Sequence, residues 1–320
     1  MENYPQNLME LESRFSTEKG CRDYLASLRW PDGFTCPRCA HRSAWEKNNG
    51  LLECAGCHYQ TSVTAGTIFD QLRTPLPVFF RAIWWVVTQK NGASALGLQR
   101  ILGLGSYRTA WTWLHKIRHA MVTPRRDELD GEIEVDETYL GSSEEGINGR
   151  QTFKKSLVVI AAQVDGKRIG RIRMRCIPDA SFESLSAFIT EAIAPGSLIH
   201  TDGWSGYAGL SGEGYSHKVT NVKATGNDAY ELLPRVHLVS SLLKRWIQGT
   251  HQGAVSPEHL DSYLDEFVFR FNRRTSASRG KLFYRLLQNA MSVTPAPYKK
   301  IIKGIRDKPE RKPRRRGNRS

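Results

Sequence analysis

The chain has 320 residues, a formal net charge of +14, and 40% hydrophobic and 10% aromatic residues. That apolar content supports packed cores and excludes global disorder, and the length allows two domains and a small third. The basic excess points to a polyanionic partner, nucleic acid before an anionic membrane surface.

The N-terminus, Met-Glu-Asn-Tyr-Pro, lacks the basic start and apolar run of a signal peptide, and the most apolar stretch, Pro77–Thr88, is short and contains Arg81. The expected setting is cytoplasmic and reducing, with no membrane partner. Residues 1–30 form a helical lead-in, in which Arg22, Asp23, Tyr24, Leu25 and Leu28 allow one amphipathic helix. Residues 31–70 carry Cys36-Pro-Arg-Cys39 and Cys54-Ala-Gly-Cys57, two C-x2-C knuckles with 14 residues between them. In a reducing compartment such a cluster points to metal rather than disulfides. Four thiolates on two tight turns suit one structural zinc ion with no open position; an iron–sulfur cluster is the alternative. His41 and His58 lie nearby but are not needed, and Cys21 and Cys176 stand apart as buried thiols.

Residues 75–124 break into three helices. Phe79, Phe80, Ile83, Trp84 and Val87 define the first, Ala95, Leu98, Ile101 and Leu102 the second, and Ala110, Leu114, Ile117 and Met121 the third, which Pro124 closes. The turn Gly103-Leu104-Gly105-Ser106 between the last two has helix-turn-helix proportions. Arg108, Thr109, Thr112, Lys116 and His119 lie off the apolar stripe of the third helix, where they can meet phosphates or base edges. An ordinary small bundle is the competing reading.

From Gly131 the pattern changes. Strands are expected at Glu132–Leu140, Leu157–Val164, Arg168–Ile177 and Ser197–Thr201, with Asp165-Gly166 as a hairpin signal. Phe182–Ile193 reads as a helix. Val236, Val239, Leu243 and Trp246 define another that Gly249 stops. Leu260–Phe271 define a third, with Ser256 as N-cap and Pro257 in its first turn. This is an α/β or α+β multidomain pattern. Lys299–Ser320 holds 11 basic and 2 acidic residues without apolar periodicity, and is expected to be a disordered basic tail.

Glu132, Glu134 and Asp136 alternate with Ile133 and Val135, so three carboxylates share one strand face. Such a face needs compensation, because close carboxylates repel. Asp202 ends a second apolar strand, before Gly203-Trp204. Singly each acid fits a solvated face or a cap; together they are oxygen ligands of the kind that hold Mg²⁺ or Mn²⁺ in two-metal phosphoryl transfer.

These pieces resemble a known family. The ribbon Cys36-Pro-Arg-Cys39…Cys54-Ala-Gly-Cys57, then Glu134-Val-Asp-Glu-Thr-Tyr139, Thr201-Asp-Gly-Trp204…Tyr207, Leu243-Lys-Arg-Trp246…Gly249-Thr-His251 and Tyr263-Leu-Asp-Glu-Phe…Phe269-Arg-Phe-Asn-Arg-Arg274 are similar, in order and spacing, to bacterial insertion-sequence transposases of family fifteen-ninety-five, over about residues 15–290. The resemblance implies an N-terminal zinc ribbon and an RNase H-like, DDE-type integrase core at 131–290. Asp136 and Asp202 would be the first two catalytic metal ligands, with a third some 34–36 residues after the second acid and a Lys or Arg seven residues beyond. Lys244 stands in that basic slot, and His237 stands where a Glu is usual, with 34 residues between it and Asp202. His237, Ser241, Lys244 and Gln248 form one polar stripe; Asp228, Glu231 and Glu266 are fallback oxygen donors.

The implied activity is DNA strand cleavage and strand transfer at element ends, with one structural zinc and two catalytic Mg²⁺ or Mn²⁺ ions. The implied partners are terminal inverted repeats, target DNA and further copies of the chain in a synaptic complex at the bacterial nucleoid. Lys244 and Arg245 would hold DNA near the scissile phosphate, and Arg270, Arg273 and Arg274 would extend that track. Trp204, Tyr207 and Trp246 are candidates for stacking on unpaired bases. A DNA-binding protein that has lost its chemistry through His237 is the alternative. A ribbon-containing transcription factor is disfavoured by the acidic strand.

Overall fold

The structure is a computed structural model and describes residues 2–122, 127–141, 155–220, 229–253 and 255–304. The expectations for Pro124, Asp228 and the tail beyond residue 304 lie outside the described residues. The chain divides into two compact units. One comprises residues 1–125 and 275–303, the other residues 126–274 and 304–320.

In the first unit α1 (Leu8–Arg14) and α2 (Glu18–Arg29) form the lead-in, capped by the Asn7 and Thr17 side chains. The strands β1 (Ala44–Glu46), β2 (Leu52–Cys54) and β3 (Gln60–Thr61) make a small antiparallel sheet, the body of the ribbon. Three helices follow: α3 (Leu76–Thr88), α4 (Ala95–Leu102) and α5 (Tyr107–Ala120). Gly103, at φ +61°, ends α4 in the left-handed region, and Ser106 caps α5.

In the second unit β4 (Glu132–Leu140), β5 (Ser156–Asp165), β6 (Arg168–Ile177), β7 (Leu198–Asp202) and β8 (Ser216–Thr220) form one mixed sheet in the order β6-β5-β4-β7-β8. β5 is antiparallel to β4 and β6, while β7 and β8 run parallel to β4. Gly166, at φ +54°, makes the expected hairpin turn. α6 (Phe182–Ala192) covers one face through Leu185, Phe188 and Ile189. On the other face, α7 (Pro234–His251) and α8 (Leu260–Phe271) bury Val236, Val239, Leu243, Leu264 and Phe271 against Val158, Ile160 and Ile172. This mixed sheet with helices on both faces is the core architecture the sequence implied.

Four boundaries differ from expectation. Gly249 does not stop α7, which runs to His251 and ends on Gln252 in the left-handed region. α8 starts at Leu260 rather than at Ser256-Pro257, because residues 256–259 close a separate turn through the His259 N–H on the Ser256 carbonyl. The core ends near Arg274 rather than 290. α9 (Arg279–Ser292) belongs to the first unit, where Phe283 is fully buried with its ring 5.7 Å from those of Phe80 and Trp84. Lys299–Ile301 are not tail but part of a helical turn, Tyr298–Ile301, whose Ile301 is fully buried.

Candidate metal and catalytic centres

The ribbon brings Cys36, Cys39, Cys54 and Cys57 together, their Sγ atoms all within 4.8 Å of one another. Cys36 and Cys57 Sγ are 3.7 Å apart, Cys39 and Cys54 Sγ 3.5 Å. A tetrahedron of zinc–sulfur bonds of about 2.3 Å has edges of about 3.8 Å, so the four sulfurs fit one zinc ion. The Arg38 and Gly56 N–H groups each donate to a knuckle sulfur at 3.4 Å, which favours the thiolate form. A Cβ on Gly56 would come within 2.7 Å of the His41 ring, so a larger residue there would have to displace that side chain. His41 accepts from the Ser43 N–H and His58 lies 3.4 Å from Glu53, so neither joins the sulfurs. Cys21 is fully buried, and burial pushes its thiol up to about 12.

The three acids of β4 do share a face, but they are not equivalent. Glu134 is 2% exposed and accepts from the backbone N–H of Arg235 (2.7 Å) and of Val236 (2.9 Å) and from Arg235 Nη1 (2.9 Å). It therefore occupies the N-terminus of α7, where the helix dipole and orphan N–H groups favour an anion. Its compensation is a helix end and the Arg235 guanidinium. The sequence could not reveal this, because Glu134 and Arg235 lie a hundred residues apart.

Asp136 is half-buried one pleat further along β4. β4 and β7 pair in parallel with Glu134 opposite His200, and Asp136 and Asp202 each lie two residues beyond that pair on their strands. Neighbouring strands lie about 4.8 Å apart. The Asp202 carboxylate accepts from the Trp204 N–H at 3.0 Å, which holds the strand-end turn. His237 lies one turn into α7, with Nε2 3.8 Å from Asp136 Oδ2. Partial burial lowers its pKa below the ordinary 6.5; Glu134 and Asp202 pull it up, and Lys244 pushes it down. Near neutral pH the imidazole is therefore neutral and able to accept or ligate. Beneath the acids Tyr207 is fully buried and donates to Glu137 at 2.7 Å. Burial raises its hydroxyl well above the ordinary range, and the charges of Glu137, Asp136 and Asp202 add to this. Gly206 next to it is obligatory, since a Cβ would sit 2.4 Å from the Ala180 carbonyl. His237 thus stands beside Asp136, and the charges of Asp202 and Lys244 both act on its imidazole. Among the described residues, however, only the four cysteines gather three or more such donors within 4.8 Å.

Lys244, Arg245, Ser241 and Gln248 are exposed along α7, opposite its buried stripe. The other expected residues are differently placed. Glu266 is 1% exposed and pairs with Arg270, and Glu231 is exposed on the turn before α7. Arg273 stacks on the Phe269 ring, while Arg274 stacks on Phe271 and donates to the carbonyls of Ile169, Gly170 and Phe271. The Arg274 guanidinium clamps α8 to the β5–β6 hairpin, while Arg273 is held on its own helix. Asn272 exchanges two bonds with the Ile172 backbone and Asp261 accepts from the Cys176 N–H, so α8 satisfies the outer edge of β6. Trp246 packs against Phe267 and His251, and Trp204, partly exposed, donates to the Ala180 carbonyl. On α5, Arg108 is exposed, but Thr112 donates to its own helix and Lys116 is half-buried at the Asp70 carbonyl. The face expected to be free is thus partly covered by residues 70–74 and by the C-terminal return of the chain.

Among the described residues no helix is long and apolar enough to cross a membrane. Residues 16–60 match the transposase zinc-ribbon domain and residues 128–272 the ISXO2-like transposase domain. The second match ends close to the Arg274 boundary of the folded unit. A protein of Halobacterium salinarum, described as an uncharacterized protein in transposable element ISH50, is 24% identical over 283 residues, covering 80% of this chain and 91% of its own. With ribbon and core matched in order and placed on separate folded parts, the chain belongs to the insertion-sequence transposases that join a transposase zinc ribbon to an ISXO2-like transposase domain.

Proposed function

We propose that the chain cuts and joins DNA at the ends of its element, using Asp136, Asp202 and His237 to hold catalytic metal. The observation that carries this reading is that the two acids stand on adjacent parallel strands, each two residues beyond the Glu134–His200 pair, with the His237 imidazole 3.8 Å from one of them. Two carboxylates and a neutral imidazole are a donor set that Mg²⁺ tolerates and Mn²⁺ suits better. When bound, the two ions would supply an activated water or 3′-hydroxyl and stabilise the charge that develops at phosphorus. The protein's own contribution is positional. β4 and β7 present the acids at a sheet end, Glu134 anchors the first turn of α7, and α7 brings His237 over Asp136 and Lys244 two turns beyond. Lys244 and Arg245, exposed on that helix, neutralise strand phosphates beside the acids. The Tyr207–Glu137 bond beneath the acids keeps the floor of the site fixed.

Asp136→Ala and Asp202→Ala test the reading in a strand-cleavage assay on the element's own terminal repeats with Mg²⁺ or Mn²⁺. Each variant is expected to lose cleavage while keeping DNA affinity, which resides mainly in Lys and Arg contacts. Cleavage near parental rates in either would reject that acid. The imidazole in a carboxylate's place also supports the alternative of a decayed enzyme that only binds DNA. That alternative predicts that the parent never cleaves while His237→Glu does.

A further inference from the structure

A second candidate site lies in the first unit, whereas the acids belong to the second. An open cleft of about 660 Å³ is lined by residues 70–74, one face of α5 and the segment Pro295–Tyr298. Its volume falls in the range of small-molecule sites, about 300–1,000 Å³. Arg73, Arg108 and Lys116 all line it, and among the described residues none of the three is in an ion pair. Lys116 is half-buried, with only the Asp70 carbonyl at 3.4 Å as a hydrogen-bond partner. The one acid in the wall, Asp70, already accepts from the Gly66 N–H. Three cations against one carboxylate leave the cavity positive; burial weakens the Lys116 ammonium and the Asp70 charge only partly offsets this, so an anion is favoured there.

One wall is aromatic. Tyr298 is 38% exposed, and the Arg108 guanidinium sits over its ring, 5.5 Å from the centroid. A guanidinium stacked on a phenol is a flat cationic platform, the kind of surface on which an unpaired base stacks. Phosphate seat and stacking plane lie side by side, as they do in a nucleotide.

We propose that this cavity takes one unpaired nucleotide of a DNA strand, its phosphate held by Arg73, Arg108 and Lys116 and its base against the Arg108–Tyr298 platform. The inference rests on the reading of the chain as acting on DNA, and goes beyond it by naming a nucleotide seat outside the acidic centre. It also accounts for the partial cover of α5: the C-terminal return converts a helix face into a pocket. A strand that frays at an element end supplies such a nucleotide. A free mononucleotide carries the same chemistry.

The test uses the full zinc-loaded chain carrying Asp136→Ala, so that no probe is consumed. A labelled single-stranded hexanucleotide is titrated by anisotropy, with dAMP and inorganic phosphate as competitors. Arg108→Ala and Lys116→Gln are each expected to weaken the hexanucleotide about tenfold and to reduce the salt dependence by about one ion. Tyr298→Ala is expected to weaken it about fivefold or more, and Tyr298→Phe to bind as the parent does, because stacking needs the ring and not the hydroxyl. A strand containing 5-iododeoxyuridine is expected to cross-link at Tyr298.

dAMP competing better than inorganic phosphate supports a seat for a nucleotide; equal competition overturns the base-stacking half of the proposal. Binding of all three weakening variants within twofold of the parent, or a cross-link mapping elsewhere, overturns the proposal. That failure leaves the transposase reading standing wherever the chain with Asp136 intact still cleaves its repeats. Absence of both cleavage and duplex binding by the parent would instead remove the reading beneath it.

Discussion

Glu134 offers a sharp test, because the strand pattern alone groups it with the metal-binding acids and the tertiary structure makes it a helix anchor. Glu134→Ala removes the acceptor of two backbone N–H groups and of Arg235 Nη1. Losing a carboxylate N-cap costs about 1–2 kcal/mol. Breaking a buried pair by deleting one partner costs about 3–5 kcal/mol. Arg235 is 23% exposed, so water re-solvates part of it and the lower end applies. The two figures overlap, since both count the same orphaned donors, and the expected total is about 3 kcal/mol. Glu134→Gln keeps one acceptor oxygen but turns an amide NH₂ toward donors, for about 1–2 kcal/mol. Against a typical stability of about 5–15 kcal/mol, both are readily measured.

The assay is chemical denaturation of the full chain without divalent ions, together with hydrogen exchange at the Arg235 and Val236 amides. Both variants are expected to unfold at lower denaturant, and these amides to lose protection. A metal-ligand role predicts the reverse, since neutralising one of three neighbouring carboxylates relieves repulsion when no cation is present. Metal-free stability equal to or above the parent's, with those amides still protected, would refute the anchor.

The remaining predictions are direct. Chelating zinc, or Cys54→Ser, is expected to unfold the ribbon while leaving the core's circular dichroism and Asp136-dependent chemistry on short substrates intact; metal analysis should find about one zinc per chain. With His237 as a ligand, Mn²⁺ should support cleavage better than Mg²⁺, His237→Glu should retain or raise Mg²⁺-dependent cleavage, and His237→Ala should lose most activity in both metals. Because burial lowers the His237 pKa below 6.5, the imidazole is neutral at pH 7 and cleavage should fall on acidification with an inflection below pH 6.5. The same shift means that the folded state binds this proton less readily than the unfolded one, so its contribution to stability is present above pH 6.5 and lost as pH falls through the folded value. His237→Glu should move the inflection toward carboxylate values, and an unmoved pH profile would show that another group titrates. Asn272→Ala frees the Ile172 N–H and carbonyl on the outer edge of β6 and is expected to cost about 1–3 kcal/mol in denaturation, without changing DNA affinity.

Local chemistry made much of this protein legible from its sequence. Two C-x2-C knuckles define a zinc site because the ligands lie within one short ribbon. Strand alternation fixed which β4 residues share a face, and the apolar stripe of α7 fixed which of its residues point away from the core, because periods of 2 and 3.6 depend only on neighbouring residues. The placement of His237 beside Asp136 was indicated by spacing and resemblance together, not by periodicity. Only the tertiary structure decided what depends on distant partners. Glu134 and Asp136 look alike on β4, yet one is consumed by the start of α7 and the other is left beside His237. Arg273 and Arg274 look like a basic track, but Arg273 lies on the Phe269 ring of its own helix and Arg274 clamps α8 to a hairpin a hundred residues earlier. The helix Arg279–Ser292 carries an ordinary amphipathic pattern, and nothing in that pattern says which core receives it. The fit of Phe283 among Phe15, Phe80 and Trp84 does, and with it the chain returns to wall the cavity beside α5. A hydrophobic stripe specifies that a face is buried; which surface buries it is set by shape and packing, which exist only once the chain is folded.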